Sequence, residues 1–227
     1  MKQTIKKAFI ASVPVLAGYL ALGFGFGIIL NSNGYGIFLA FIMSLFIYAG
    51  SMQYLAVSLL VTDSSLITVA LTTFVVNVRH LFYGISIMDK YKNVGKVKPY
   101  LIFALTDETY SLLCSDNPIV PEDRKKHYYF FVSLFNHMYW ITGSVLGATV
   151  GSLVEFNSQG IDFTLTALFV TIFIEQWLSN KKHMSAIIGV LASAVCVIIF
   201  GSQSFLIPAM LLITVLLCIS KEAKEND

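Results

Sequence analysis

Charge is scarce in this sequence. Only 12% of its 227 residues are Asp, Glu, Lys or Arg, against about 25% in a soluble domain. So little polar surface cannot cover a water-soluble globule of this size. Cysteine is scarce too. Cys114, Cys196 and Cys218 all fall in apolar stretches, which reads as small buried hydrophobes and excludes a disulfide framework. The spacings CxxC, HExxH and GxxxxGK[ST] are missing, so no metal or nucleotide site has motif support and no cofactor is implied. A net charge of +2 is too small to suggest a nucleic-acid partner. What abounds is apolar: 56% hydrophobic and 14% aromatic residues, with a mean hydropathy of +0.76. Disordered and collagen-like classes are excluded as well. The class that remains is an all-α, polytopic membrane helical bundle.

The few charges are strongly partitioned. All 13 Lys and Arg124 lie in polar stretches at 2–7, 90–98, 124–126, 181–182 and 221–224, and only Arg79 lies inside an apolar run. Lipid demands this, because a charge at mid-bilayer costs at least about 2.5–3.5 kcal/mol. Between the polar stretches lie eight apolar segments: 8–30, 36–61, 66–88, 99–114, 128–153, 162–178, 184–200 and 204–219. Several reach the ~20 residues that cross a ~30 Å core. The first follows Lys2, Lys6 and Lys7, but its run is too long for a signal-peptide core, and it is kept as a span. We expect one integral membrane domain over 1–227, with six to eight spans. With a cytoplasmic N-terminus and eight crossings, the lysines of 90–98 fall outside, against the positive-inside rule. If 36–61 and 99–114 dip in and return, every basic cluster falls inside; such backbone must be shielded by protein or water.

A weak internal repeat is visible. Gly23-x-x-x-Gly27 is followed by Gly34 and an apolar run ending near Gln53; Gly143-x-x-x-Gly147-x-x-x-Gly151 is followed by Gly160 and a run ending near Gln176. Repeats suit transporters, whose sites lie between halves. Close helix packing alone also produces small-xxx-small spacing.

The polar residues inside apolar segments are the candidate working groups. Segment three holds Asn77, Arg79 and His80; segment four holds Thr106, Asp107 and Glu108; segment five holds Asn136 and His137. Arg79 lies nine residues before Met88, and Asp107 eight residues after Pro99. At ~1.5 Å per residue both sit ~12–13 Å from the same surface. A buried Arg needs an acidic partner, and Asp107 and Glu108 are the candidates. Two acids against one Arg leave one carboxylate over, which can load and unload a proton. The alternatives are an ion pair that only sets helix register, and a His80 that merely satisfies a backbone carbonyl. Glu175 reads as a rim residue, and Asp63 and Asp162 as helix-end charges.

Two stretches suggest broken helices. Gly23, Gly25 and Gly27 alternate with Phe24 and Phe26, and Tyr48-Ala49-Gly50-Ser51-Met52-Gln53 interrupts segment two. A break frees backbone N–H groups that attract a substrate carboxylate, to which Ser51 and Gln53 can add hydrogen bonds. The alternative is close backbone packing. Tyr128, Tyr129, Tyr139 and Trp140 read as interface-belt or packing residues.

Taken in order, Leu22-Gly23-Phe24-Gly25-Phe26-Gly27, Tyr48-Ala49-Gly50-Ser51-Met52-Gln53, Asn77-Val78-Arg79-His80-Leu81-Phe82-Tyr83-Gly84 and Thr106-Asp107-Glu108 resemble the AzlC-like large subunit of bacterial branched-chain amino acid exporters. The resemblance covers nearly the whole chain. It implies a cell-membrane exporter of valine, leucine, isoleucine or methionine, working with a small AzlD-like membrane subunit about half this size. It carries no residue roles, so the site residues rest on the physics of the sequence. A zwitterion needs donors or a cation for its carboxylate: the glycine-rich breaks, or Arg79. It needs Asp107 or Glu108 for its ammonium, and an apolar pocket such as Phe24 and Phe26 for its side chain. Proton coupling through the remaining acid is the simplest drive. The chain is not expected to be an enzyme. Other readings are a channel or uniporter for another small solute, an intramembrane hydrolase pairing Ser51 with His80 or His137, and a purely structural subunit.

Overall fold

The computed structural model describes residues 1–114, 120–153 and 183–201, with scattered positions between 170 and 217. Gly160, Asp162, Glu175, Gln176, Lys181, Lys182 and Cys218 lie outside the described residues, as does 221–224. The chain divides into two compact units, Met1–Thr164 and Leu165–Asp227. All described regular structure is helical. The first unit contains α1 (Lys2–Ser32), α2 (Ile37–Phe46), α3 (Gly50–Val61), α4 (Leu66–Ile87), α5 (Lys98–Phe103), α6 (Asp107–Cys114) and α7 (Lys125–Leu153); the second contains α8 (Met184–Phe200).

Among the described residues two helices, α1 and α4, are long and apolar enough to cross a membrane. The 31 residues of α1 extend about 46 Å, so its lysine-bearing first turns project beyond a ~30 Å core. It is continuous through Gly23, Gly25 and Gly27, which corrects the expectation of a break there. The glycines serve packing instead. A Cβ on Gly23 would stand 2.9 Å from Trp140 O, one on Gly27 would overlap Ser144 O, and one on Gly147 would overlap Phe24 O. Backbone therefore lies against backbone where α1 crosses α7, a contact that needs small residues on both helices. Phe9 packs on Phe135, Ser12 meets Tyr139 and Gly27 meets Ser144. Partners advance together along both chains, so α1 and α7 run parallel.

Segments two and four are both broken. α2, α3, α5 and α6 have 10, 12, 6 and 8 residues, about 9–18 Å each, roughly half a membrane core or less. α2 descends from the Gly34 turn until Ser44 O meets His137. The chain reverses at Tyr48, whose φ is +42°. α3 then climbs back: Gly50 lies against Trp140, and Tyr54 reaches Phe26. Gln53 Nε2 donates to Ser44 Oγ at 3.3 Å, so the two arms stand side by side. α5 and α6 mirror this from the other end. Tyr100 packs on Phe130, Phe103 reaches Tyr48, and after 104–106 α6 returns until Leu113 joins Ala8, Tyr91, Tyr128 and Val132 in the cluster at that end. Both segments fold back on themselves as short helical hairpins. α1–α3 and α4–α6 thus share one plan, a long helix followed by a half-depth hairpin, run in opposite directions. Lys2–Lys7, Lys90–Lys98 and Arg124–Lys126 consequently lie at the same end of the unit.

Local chemistry accounts for the second break. Thr106 Oγ1 accepts the Thr109 N–H at 3.2 Å, an N-cap bond. Asp107 and Glu108 occupy the first turn of α6, where the helix dipole favours anions. At the other end Lys90 Nζ donates to Leu113 O and Cys114 O at 2.9 and 3.0 Å, covering carbonyls the helix leaves unpaired. Cys196 is buried on α8, and Cys114 is partly buried.

Candidate functional site

The tips of the two hairpins meet at mid-depth against α1, α4 and α7. α4 delivers Arg79. Its Nη1 lies 2.6 Å from Asp107 Oδ2, and its Nη2 donates to Ser51 Oγ at 2.7 Å. One guanidinium thus ties α4 to the first turn of α3 and the first turn of α6. The pair is not sealed: 36% of the Arg79 side chain and 30% of the Asp107 side chain remain accessible. Arg79 Nε, Asp107 Oδ1 and Asn77 Oδ1 are buried with no hydrogen-bond partner, which leaves one donor and two acceptors for something else. The N-cap of α3, Ala49, makes no side-chain bond. The first amides of α3, at Gly50, Ser51 and Met52, thus lack a side-chain cap, and a helix start of this kind is an electropositive end.

Glu108 stands apart from this pair. Its Oε2 accepts from the Tyr19 hydroxyl at 2.6 Å, and that hydroxyl lies 2.6 Å from Thr106 Oγ1. Thr106 Oγ1 donates to Thr109 Oγ1 at 3.0 Å, which also accepts from Asn136 Nδ2 at 3.0 Å. Among the described residues no Lys, Arg or His makes an ion pair with Glu108. Asn136 is fully buried, and its Oδ1 has no partner.

The remaining candidates hold the architecture. Gln53, fully buried, accepts from Trp140 Nε1 at 2.8 Å and bonds Ser44, clamping the first hairpin to α7. His137 Nε2 lies 3.1 Å from Ser44 O and so carries the ring proton, while Nδ1 accepts from the Tyr100 hydroxyl at 3.2 Å. The Tyr48 ring lies 4.2 Å from the same imidazole. His137 therefore ties both hairpins to α7. His80 Nδ1 lies 3.1 Å from Asn77 O on its own helix, the plain core role, and does not reach the pair. Ser51 is bonded by Arg79, and the bonds of His80 and His137 go to Asn77, Tyr100 and Ser44. Gly25 faces the Tyr54 hydroxyl, and Gly50 faces the Trp140 ring. Phe26 is fully buried between Tyr54 and Trp140 and forms core, not the open pocket expected of it. The sequence reading missed Tyr19, Ser44, Tyr100 and Thr109. They are ordinary polar residues in apolar runs, and only their position at the hairpin tips marks them. A cavity of about 500 Å³ opens between the α4–α5 link and the start of α7, lined by Asp89, Lys90, Asn93, Glu122 and Lys126 among others. It is at the basic end, away from Arg79 and Glu108.

A charged pair and an unneutralised acid, held at mid-depth by half-helices, define a helical membrane protein with a polar interior site. The profile described as AzlC protein matches residues 14–154. The chain is 44% identical over 222 residues to the branched-chain amino acid transport protein AzlC of Bacillus subtilis (strain 168), covering 97% of this chain and 87% of that protein. It is 39% identical over 225 residues to an uncharacterized membrane protein of Helicobacter pylori (strain ATCC 700392 / 26695), covering 98% and 97%. It is 28% identical over 192 residues to the inner membrane protein YgaZ of Escherichia coli (strain K12), covering 80% and 77%. The chain belongs to the AzlC family. No solved structure matches it.

Proposed function

We propose that this chain is the large membrane subunit of a proton-coupled secondary exporter. It moves valine, leucine, isoleucine or methionine out of the cytoplasm, together with a small AzlD-like subunit. The observation that carries this is the Arg79–Asp107 pair, which joins α4 to the tips of two opposed half-depth hairpins. The name of the Bacillus subtilis relative supplies the substrate class.

A zwitterion can replace each ion's partner in one step. Its carboxylate goes to Arg79 and the open amides of Gly50, Ser51 and Met52. Its ammonium goes to Asp107. Both buried charges stay paired throughout. A solute with one charge leaves the other ion uncompensated, which costs about 2–3 kcal/mol at this partly accessible pair, so the pair selects against simple anions and cations. An apolar side chain is accommodated by the hydrophobic walls around the tips. Breaking the pair removes the mid-depth tie between α4 and α6 and leaves their Tyr83–Tyr110 and Ser86–Tyr110 contacts in place, a local change that an alternating-access cycle can use. With Lys2–Lys7, Lys90–Lys98 and Arg124–Lys126 at the cytoplasmic end, the positive-inside rule is obeyed. The eight apolar segments then make six crossings, with the N-terminus inside the cell membrane.

The test is efflux. Cells loaded with leucine-containing dipeptides and expressing this chain with its small partner should hold less intracellular leucine than cells with neither. Equal accumulation in the two would remove the export claim.

A further inference from the structure

We propose that Glu108 is the carboxyl that carries the coupling proton, that the Tyr19 hydroxyl is its reversible partner, and that Asp107 stays ionised on Arg79; this rests on the proton-coupled transport proposed above. The two adjacent acids occupy different chemical settings. Asp107 faces a guanidinium, which only donates. A proton on Asp107 would break the one ion pair Arg79 has. Glu108 faces hydroxyls, which both donate and accept. A carboxyl that alternates between charged and neutral forms needs partners of that kind, because it accepts in one form and donates in the other.

Tyr19 meets this need by geometry. Its oxygen lies 2.6 Å from Glu108 Oε2 and 2.6 Å from Thr106 Oγ1. With Glu108 charged, Thr106 donates to Tyr19 and Tyr19 donates to the carboxylate. With Glu108 protonated, the carboxyl donates to Tyr19, Tyr19 donates to Thr106, and Thr106 donates to Thr109, 3.0 Å away. Only hydroxyl hydrogens turn, no heavy atom moves, and the Glu108 Oε2, Tyr19 and Thr106 oxygens each keep a partner in both states. The proton is gained from or lost to water, and no other group changes charge. The surrounding elements leave this carboxyl free to switch. α1 presents Tyr19; the α2–α3 link presents Tyr48; α4 presents Tyr83 and Arg79, the latter held by Asp107 of α6; from α7, Asn136 and His137 bond Thr109, Ser44 and Tyr100 and not Glu108. The His137 ring is already occupied on both nitrogens. Asn136 closes the chain through Thr109.

The full-length chain, purified with its small partner and reconstituted in liposomes, tests this by two measurements. In transport of radiolabelled leucine, E108Q should abolish accumulation driven by an imposed pH gradient and keep leucine–leucine exchange at equal pH. D107N should lose both. Y19F should keep both and move the pH midpoint of gradient-driven transport upward, because the carboxylate loses its O–H donor. Infrared difference spectra across a pH titration of the full-length chain need no substrate. All 13 Asp and Glu contribute to the protonated-carboxyl band; one component of it should vanish in E108Q, persist in D107N and change frequency in Y19F. Gradient-driven accumulation surviving in E108Q, or that component vanishing in D107N instead, overturns the assignment. Wild-type protein that shows the Glu108 band but exchanges no branched-chain amino acid refutes the transport function and leaves the proton site standing.

Discussion

Remove the cation and the site should come apart in a measurable way. Arg79 is the only Lys or Arg in an apolar run, and at 2.6 Å from Asp107 the bare attraction is about 6 kcal/mol at an effective dielectric near 20. Desolvation of both ions offsets much of that. Breaking a fully buried pair by removing one partner costs about 3–5 kcal/mol, most of it the stranded charge. Here 36% and 30% of the two side chains stay accessible, so screening brings the expected cost of Arg79→Ala down to about 2–3 kcal/mol. Adding Asp107→Asn removes the stranded carboxylate. The double variant should recover about 1–2 kcal/mol relative to the sum of the single changes. The assay is thermal unfolding of the purified chain in detergent for all four members of the cycle. Strict additivity would refute the pairing. A double variant less stable than that sum would show that the two groups hold the hairpins by separate contacts.

Other consequences follow from the same geometry. Gly147→Ala forces α7 away from Phe24 O, where no side chain can yield; overpacking of this kind costs about 1–3 kcal/mol or more, whereas Gly84→Ala, with open space around it, should change the melting temperature little. Gln53→Leu strands Trp140 Nε1 and loosens the first hairpin, at about 1–3 kcal/mol, and the quenching of Trp140 fluorescence should change with it. In a cysteine-free background, Gly34→Cys and Asp63→Cys should label from one side of intact cells and Lys92→Cys from the other. Labelling of positions 34 and 63 from opposite sides would show that α2 and α3 cross the membrane. Lys90→Ala uncovers the last carbonyls of α6 and should cost about 0.3–1 kcal/mol, read as a lower melting temperature.

Much of this protein is legible without coordinates, because lipid punishes misplaced charge. The partition of lysines, the length of the apolar runs and the demand that Arg79 find an acid at its own depth all follow from desolvation. The break at Tyr48–Gly50 shows as glycine in an apolar run. The break before Asp107 has a signal too: Thr106, then two acids, is a helix start set inside a hydrophobic segment. Gly23, Gly25 and Gly27 misled, because a glycine that admits a neighbouring backbone and one that breaks a helix read alike in a single sequence.

Sequence alone determined that the chain is a helical membrane protein, that Arg79 is its one misplaced cation, and that one acid is left over. Only the tertiary structure decided which acid. Asp107 and Glu108 are adjacent and chemically alike, and each side chain's direction is set by the turn of α6 and by what α1 and α4 bring to it. That puts Arg79 on the first and Tyr19 on the second, a division that no spacing along the chain encodes.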